Sequence, residues 1–126
     1  DKNIISIVEE VLIEFNKEIV NALKNQSCKT RRINSKEYNI ITVKPESDEL
    51  GFVGTPTKIK TNILEEIVKY NEVPVVAPLG LDKNSQTFNI NADTVAGSIA
   101  KELKARRLMI ISDVEGVLDN KKKTNT

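Results

Sequence analysis

Phe88-Asn89-Ile90-Asn91-Ala92-Asp93-Thr94-Val95-Ala96-Gly97, with Ser112-Asp113-Val114-Glu115-Gly116-Val117 after it, decides how this chain is read. The first half alternates Asn89, Asn91 and Asp93 with Phe88, Ile90 and Ala92, so a strand of period two lines three polar side chains along one face. At Asp93 the pattern changes. Val95, Ile99 and Leu103 recur at fourfold spacing with Ala96 and Ala100 beside them, which predicts a helix. Asn and Asp are costly to bury and poor in a strand interior. Three of them at a strand end, aimed at a helix N-terminus, are placed to hold a ligand.

Upstream, residues 4–24 carry Val8, Val11, Leu12, Phe15, Ile19, Val20 and Leu23 at spacings of three and four, predicting a helix with that face buried. Residues 25–39 are polar and read as irregular. Ile40-Ile41-Thr42-Val43 reads as a strand ended by Pro45, and residues 50–54 as a short strand leading into a loop. Thr61 or Asn62 can cap a helix through Tyr70, with Ile63, Leu64, Ile67 and Val68 inward. Residues 73–78 form a buried strand, Asp82-Lys83-Asn84-Ser85 a hairpin tip, and the last helix extends to about Arg106 before a strand at 108–111.

Strands alternating with helical patterns predict one α/β domain over residues 1–126, an open and mostly parallel sheet sandwiched by helices. Its central, buried strands are expected at 75–77 and 109–111. In such sheets ligands gather outside the carboxyl ends of the strands. Residues 77–80, 89–93 and 112–113 each sit at or just past such an end, and so are expected to converge on one rim.

Composition narrows the chemistry. At 126 residues there is room for one domain with a modest core, and 39% hydrophobic with 29% charged residues is ordinary for a globular protein. Lys+Arg of 19 against Asp+Glu of 18 gives no polyelectrolyte signal, so nucleic-acid and membrane partners gain no support. No apolar run approaches the roughly 20 residues needed to span a bilayer, and the first residues show no signal-peptide pattern. There is no His, and the single cysteine, Cys28, cannot form an intrachain disulfide or a cysteine-cluster metal site. No protein-ligated metal site is therefore expected. A reducing compartment fits, the cytoplasm by default, with a plastid as the alternative given the Lys-, Asn- and Ile-rich composition.

Asn89-Ile90-Asn91-Ala92-Asp93-Thr94-Val95-Ala96-Gly97, followed by Leu108-Met109-Ile110-Ile111-Ser112-Asp113-Val114 and Gly116-Val117-Leu118, resembles the N-acetylglutamate kinases of the amino acid kinase family. Asn16-Lys17-Glu18-Ile19-Val20, Leu50-Gly51-Phe52-Val53-Gly54 and Pro74-Val75-Val76-Ala77-Pro78-Leu79-Gly80 fall in the same order as in that family. The resemblance covers most of residues 7–119. It implies phosphoryl transfer from ATP, bound with Mg2+ as substrate, to the side-chain carboxylate of N-acetyl-L-glutamate in arginine or ornithine biosynthesis. It further implies a homodimer or higher homo-oligomer.

Residue by residue, the resemblance makes Asp93 the aspartate that organises two lysines around the transferring phosphoryl group. Its plainer alternative is an N-cap satisfying the amides of the following helix. Asn89 resembles the asparagine that binds acetylglutamate, an amide offering both donors and an acceptor; alternatively it caps a turn at the strand end. For Asn91 a structural and a substrate-binding role carry equal weight. Ser112, Asp113, Val114, Gly116 and Val117 resemble the loop that lines the nucleotide's adenosine, although by itself a strand followed by Ser-Asp-x-x-Gly is an ordinary turn. Leu50-Gly51-Phe52-Val53-Gly54 lies on the substrate side in that family, with a tight turn as the alternative.

The departures matter equally. The family's N-terminal Lys-x-Gly-Gly element, its carboxylate-clamping arginine and its C-terminal catalytic lysine have no counterpart here. None of Lys17, Lys58, Lys101 or Lys104 stands in a matching motif. The chain begins at Asp1 and ends in Lys121-Lys122-Lys123-Thr124-Asn125-Thr126, so the expectation is a central piece of a longer kinase, inactive alone; the alternative is a truncated, non-catalytic binding remnant. The family's glycine-bearing break before Asn-Lys-Glu-Ile-Val is replaced by Ile13-Glu14-Phe15, so the first helix can run through. Two glycine turns read Ser27-Cys28-Lys29 and Ser35-Lys36-Glu37-Tyr38-Asn39, where a left-handed backbone costs a residue with a Cβ roughly 1–2 kcal/mol.

Overall fold

A computed structural model describes residues 1–116. Their elements follow the order α1 (Lys2–Asn25), β1 (Thr30–Ile33), β2 (Ile41–Pro45), β3 (Gly54–Ile59), α2 (Thr61–Lys69), β4 (Val73–Val76), β5 (Leu79–Leu81), β6 (Thr87–Asn89) and α3 (Ala92–Glu102). β1 and β4 pair in parallel, Ile33 opposite Val76. The second sheet has the order β3-β2-β5-β6 and is mixed. In it β2 runs parallel to β5 and antiparallel to β3, while β5 and β6 form a hairpin. The hairpin tip is where the sequence puts it: Asp82 Oδ1 accepts from the amides of Asn84 (2.8 Å) and Gln86 (2.9 Å), and Ser85 takes φ 61°. The α/β class holds, with Ile33, Ile40, Ile41, Leu64, Phe88 and Ile90 in the main core.

α1 is unbroken through Ile13-Glu14-Phe15, as the missing glycine allows. Its buried side, however, is Ile5, Ile13, Asn16 and Val20, while Val11 and Phe15 are 61% and 57% exposed. Apolar residues surround more than half of this helix, so spacing by threes and fours admits two registers. Packing against β1, β4 and β6 selects the one that buries Asn16.

β1 lies inside the stretch read as irregular. Only Thr30 and Ile33 are buried in it, and the two arginines between them hide the pattern. Arg31 holds Glu72 through Nε and Nη2, both at 3.0 Å, and its guanidinium lies 5.5 Å from the centre of the Tyr38 ring. The hydrogen bonds to Glu72 raise the Arg31 pKa above its ordinary value, and the charge of Glu72 adds to this. Strand structure expected at 50–54 instead starts at Gly54 and runs to Ile59. Pro56 is tolerated there because β3 is an edge strand and its register shifts opposite Thr42 and Val43.

The helix ends also differ from expectation. α2 has Lys60 at its N-cap with no side-chain cap, so neither Thr61 nor Asn62 plays that part, and Val68 is exposed. α3 stops at Glu102, short of Arg106. The expected strand at 108–111 is not formed: Met109 and Ile111 are 80% and 92% exposed. An apolar run becomes a strand only when a neighbouring edge takes up its amides and carbonyls, and among the described residues none pairs with this segment. Of the two strands expected at the centre, only β4 is present, and it is neither central nor fully buried: it pairs with β1 alone, Val73 is exposed and Pro74 to Val76 are half-buried, with Ala77 buried just past its end.

Both replaced glycine turns retain the left-handed backbone. Ser27 has φ 62° and Tyr38 φ 56°. Ser27 follows the C-cap of α1, where its amide donates to Lys24 O and that of Cys28 to Leu23 O, each at 3.0 Å. Glycine is favoured at this position because it lacks the Cβ that clashes with the carbonyl. Ser27→Gly should raise the unfolding free energy by about 0.5–1 kcal/mol and Ser27→Val should lower it by at least as much, read from the midpoints of urea denaturation curves.

Candidate functional site

The polar trio Asn89, Asn91 and Asp93 does not share one strand face. β6 ends at Asn89, Asn91 is the N-cap of α3, and Asp93 lies in the first turn of that helix. Asn91 Oδ1 accepts from the Thr94 amide (3.1 Å) and from the Thr94 hydroxyl (3.4 Å). The capping role considered for Asp93 therefore belongs to Asn91. The reason is geometric: an N-cap must retain extended backbone, and Asn91, at φ −57° and ψ 126°, is the last residue to do so. Asp93 is thereby released. Its side chain is exposed, and no cation among the described residues lies within ion-pair distance of it.

Asn89 has a defined pocket. With Ile4, Ile5 and Val8 from the start of α1, and Leu50, Gly51 and Phe52 from the loop before β3, it lines a cavity of about 320 Å³. Two contacts hold that loop over the strand end. The Asn89 amide donates to Phe52 O at 2.8 Å, and the Phe52 ring meets Phe88 edge-on, centres 5.4 Å apart. Gly51 supplies the turn with φ 66°, and a Cβ on Gly54 would stand 3.0 Å from the Cβ atoms of both Phe88 and Val43. The two glycines thus do different work: one turns the chain, the other lets β3 approach the sheet.

Some of the expected convergence is present. Ile90 N donates to Pro78 O at 3.0 Å, which ties residues 77–80 to the 89–93 segment. Residues 112–116 stand apart from it. Ser112 Oγ approaches Asp113 Oδ1 (3.4 Å) and accepts from the Val114 amide (3.3 Å), and Ser112, Asp113, Val114 and Gly116 are all exposed. The loop was to be carried to the rim by a strand at 108–111, which is not formed. Val117 and the terminal lysine run lie outside the described residues.

The walls given by Ile4, Ile5 and Val8 were not legible as site residues, since apolar spacing in a helix reads as core. A second cleft of about 460 Å³ between β3 and α3 is lined by Lys58, Lys101, Ser98 and Glu102 among others. Lys58 and Lys101 are the lysines that no motif singled out, and only the packing of α3 on β3 brings them near one another.

Comparison with known proteins places this geometry. The model of the amino acid kinase family matches residues 2–126. An acetylglutamate kinase from Pelagibacter ubique is 72% identical, over 98% of this chain and 43% of its own length. One from Dinoroseobacter shibae is 40% identical, over 100% of this chain and 44% of its own length. The chain thus spans less than half the length of these curated relatives. Among solved structures, smu.665 from Streptococcus mutans aligns with a TM-score of 0.76 at 30% identity, covering 82% of this chain and 43% of that one. The N-acetylglutamate synthase of Neisseria gonorrhoeae, solved with coenzyme A and L-arginine, shares the fold at a TM-score of 0.64 and 21% identity, over 75% of this chain and 22% of its own. With a family match that runs nearly end to end, and curated relatives 72% and 40% identical over nearly all of its residues, the chain belongs to the amino acid kinase family.

Proposed function

We propose that the full-length protein containing this chain is an acetylglutamate kinase. It transfers the γ-phosphoryl group of MgATP to the side-chain carboxylate of N-acetyl-L-glutamate, forming the acyl phosphate used in arginine or ornithine synthesis. The observation that carries this reading is the Asn89 pocket. It combines an amide able both to donate and to accept with an apolar wall from α1, and Asp1 and Glu49 complete its rim, as a small polar substrate with a short hydrocarbon body requires. The identity to acetylglutamate kinases along the whole chain supports it.

In this reading Asn89 binds the acetamido or carboxylate group of the substrate. Asn91 shapes the junction by capping α3. Asp93, left exposed by that cap, anchors the cations that neutralise the transferring phosphoryl oxygens. Phosphoryl transfer is catalysed mainly by positioning and by charge aimed at those oxygens, so an anionic anchor acts chiefly in the transition state. Ser112, Asp113, Val114, Gly116 and Val117 line the adenosine. Magnesium arrives with ATP as part of the substrate.

The 126 residues alone hold one substrate wall and the aspartate but not the family's lysine and glycine motifs, and we read them by themselves as a non-catalytic binding unit. The full-length protein is a homodimer or higher homo-oligomer in this reading. Ile7, Val11 and Phe15 support it, forming an exposed apolar stripe along α1 with each residue at least 57% accessible.

Four outcomes are expected. Asp93→Asn in the full-length enzyme should lower kcat by about 10²–10³ while moving KM little. Asn89→Ala should mainly raise KM for acetylglutamate, by about tenfold, the loss of one hydrogen bond to a charged group. The opposite pattern in steady-state kinetics would reverse the two roles. The 126-residue chain should yield no hydroxamate in an acyl-phosphate trapping assay, whereas turnover there would mean that Lys36 or Lys58 serves as a catalytic cation. Light scattering should find the full-length protein at twice the monomer mass or more, and Val11→Glu should shift it toward monomer.

A further inference from the structure

Glu9 lies two helical turns before Asn16 on the sheet-facing side of α1, and its side chain is only 13% exposed. Oε2 accepts hydrogen bonds from two hydroxyls, Ser35 Oγ at 2.7 Å and Thr87 Oγ1. Oε1 stands 3.7 Å from Lys36 Nζ. One carboxylate thus joins three segments far apart in sequence: the helix, the turn after β1 and the first residue of β6. Ser35 and Lys36 belong to one of the two replaced glycine turns, and Thr87 stands just before the Phe88–Gly97 stretch.

The place of the contact matters more than its strength. Thr87 precedes Asn89 by two residues, so both side chains emerge on one face of β6, the face toward α1 that Glu9 meets. On the helix, Glu9 follows Val8 directly and Ile5 by one turn, and both of those residues wall the Asn89 pocket. β6 is only three residues long, Thr87 to Asn89. Its ladder partner is a strand of the same length, Leu79 to Leu81, itself joined to the next strand by the single pairing of Thr42 with Leu81. So short a hairpin has few backbone bonds to fix its tilt. The hydrogen bond from Thr87 to Glu9 adds a tie from outside the sheet at the start of β6.

We propose that Glu9 is a positioning residue of the substrate pocket, holding Thr87, and through it the Asn89 end of β6, against the first turns of α1. The proposal rests on the acetylglutamate reading for the identity of the ligand but not for the geometry of the clasp. Glu9 touches no substrate; it acts through Asn89.

The test uses the full-length protein with Glu9→Gln, Thr87→Val and the pair combined. In steady-state kinetics each single variant should raise KM for acetylglutamate by about tenfold, with kcat and KM for ATP within about threefold, and the double variant should be no worse than either single one. Loss of kcat alone, equal loss toward both substrates, or additive effects would overturn the proposal. Hydrogen exchange supplies a reading that needs no activity. In each single variant the Asn89 amide should exchange about tenfold faster, while amides of the β2–β3 pairing stay within about twofold. Unchanged exchange at Asn89, or an equal rise throughout, would refute the clasp even if kinetics agreed. If the unaltered protein fails to phosphorylate acetylglutamate, the proposed function falls, and the exchange pattern still decides the role of Glu9.

Discussion

Asn16, 2% exposed in the middle of α1, sits where three parts of the chain meet. Its Nδ2 donates to Val75 O in β4 at 2.9 Å, and its Oδ1 accepts from Asn34 Nδ2 at 3.2 Å. Asn34 in turn accepts with Oδ1 from the amides of Lys36 and Glu37 and so closes the turn after β1. An amide buried without partners costs about 1–3 kcal/mol, so the helix is held to the rotation that satisfies it. That rotation brings Ile5, Ile13 and Val20 inward and leaves Val11 and Phe15 outside. The two sheets share no ladder, and α1 packs on strands of both. The rotation of one helix therefore governs how the parallel pair and the mixed sheet stand to each other.

The site inherits this arrangement. The pocket has its polar group on one sheet, its apolar wall on the helix and its cover in the loop at 50–53. The cover stays in place through the Phe52–Phe88 edge contact and one backbone hydrogen bond. Each of these contacts is local, but their mutual placement is set two turns away, where Asn16 and then Glu9 fix α1. The division of labour at the junction of β6 and α3 has a similar cause. One asparagine completes the helix end, and this leaves the neighbouring aspartate without a structural duty.

Much of this was readable from residue order. The α/β class, α1 from end to end, the hairpin tip at Asp82 and, to within a residue or two, the change from strand to helix read at Asp93 all follow from local periodicity and turn chemistry, which need no partner. The left-handed turns at Ser27 and Tyr38 were foreseeable for the same reason: a turn's geometry survives when its glycine does not, and the strain stays local. β1 and β3 were not readable. Arg31 and Arg32 break the apolar pattern of β1, and Pro56 argues against a strand unless the strand is known to be an edge. Conversely, Leu108 to Ile111 has the composition of a buried strand and is none here, because composition cannot supply the neighbour that strand pairing requires.

By itself the sequence singled out the residues proposed to carry the chemistry, Asn89, Asn91 and Asp93, by their alternation at a strand-to-helix junction. It also determined what cannot contribute: with no histidine and one cysteine, carboxylates, amides and the lysine and arginine cations are the means available. Tertiary structure alone decided how those groups divide their roles. That Asn91 rather than Asp93 caps α3 depends on where the backbone leaves the extended region, and a side-chain pattern does not record this. That Asn89 faces Ile5 and Val8 depends on the rotation of α1, and Asn16 and Glu9 set it through partners 18 to 78 positions distant in sequence. Periodicity reports which face of an element is apolar; only long-range polar contacts settle which way that face points.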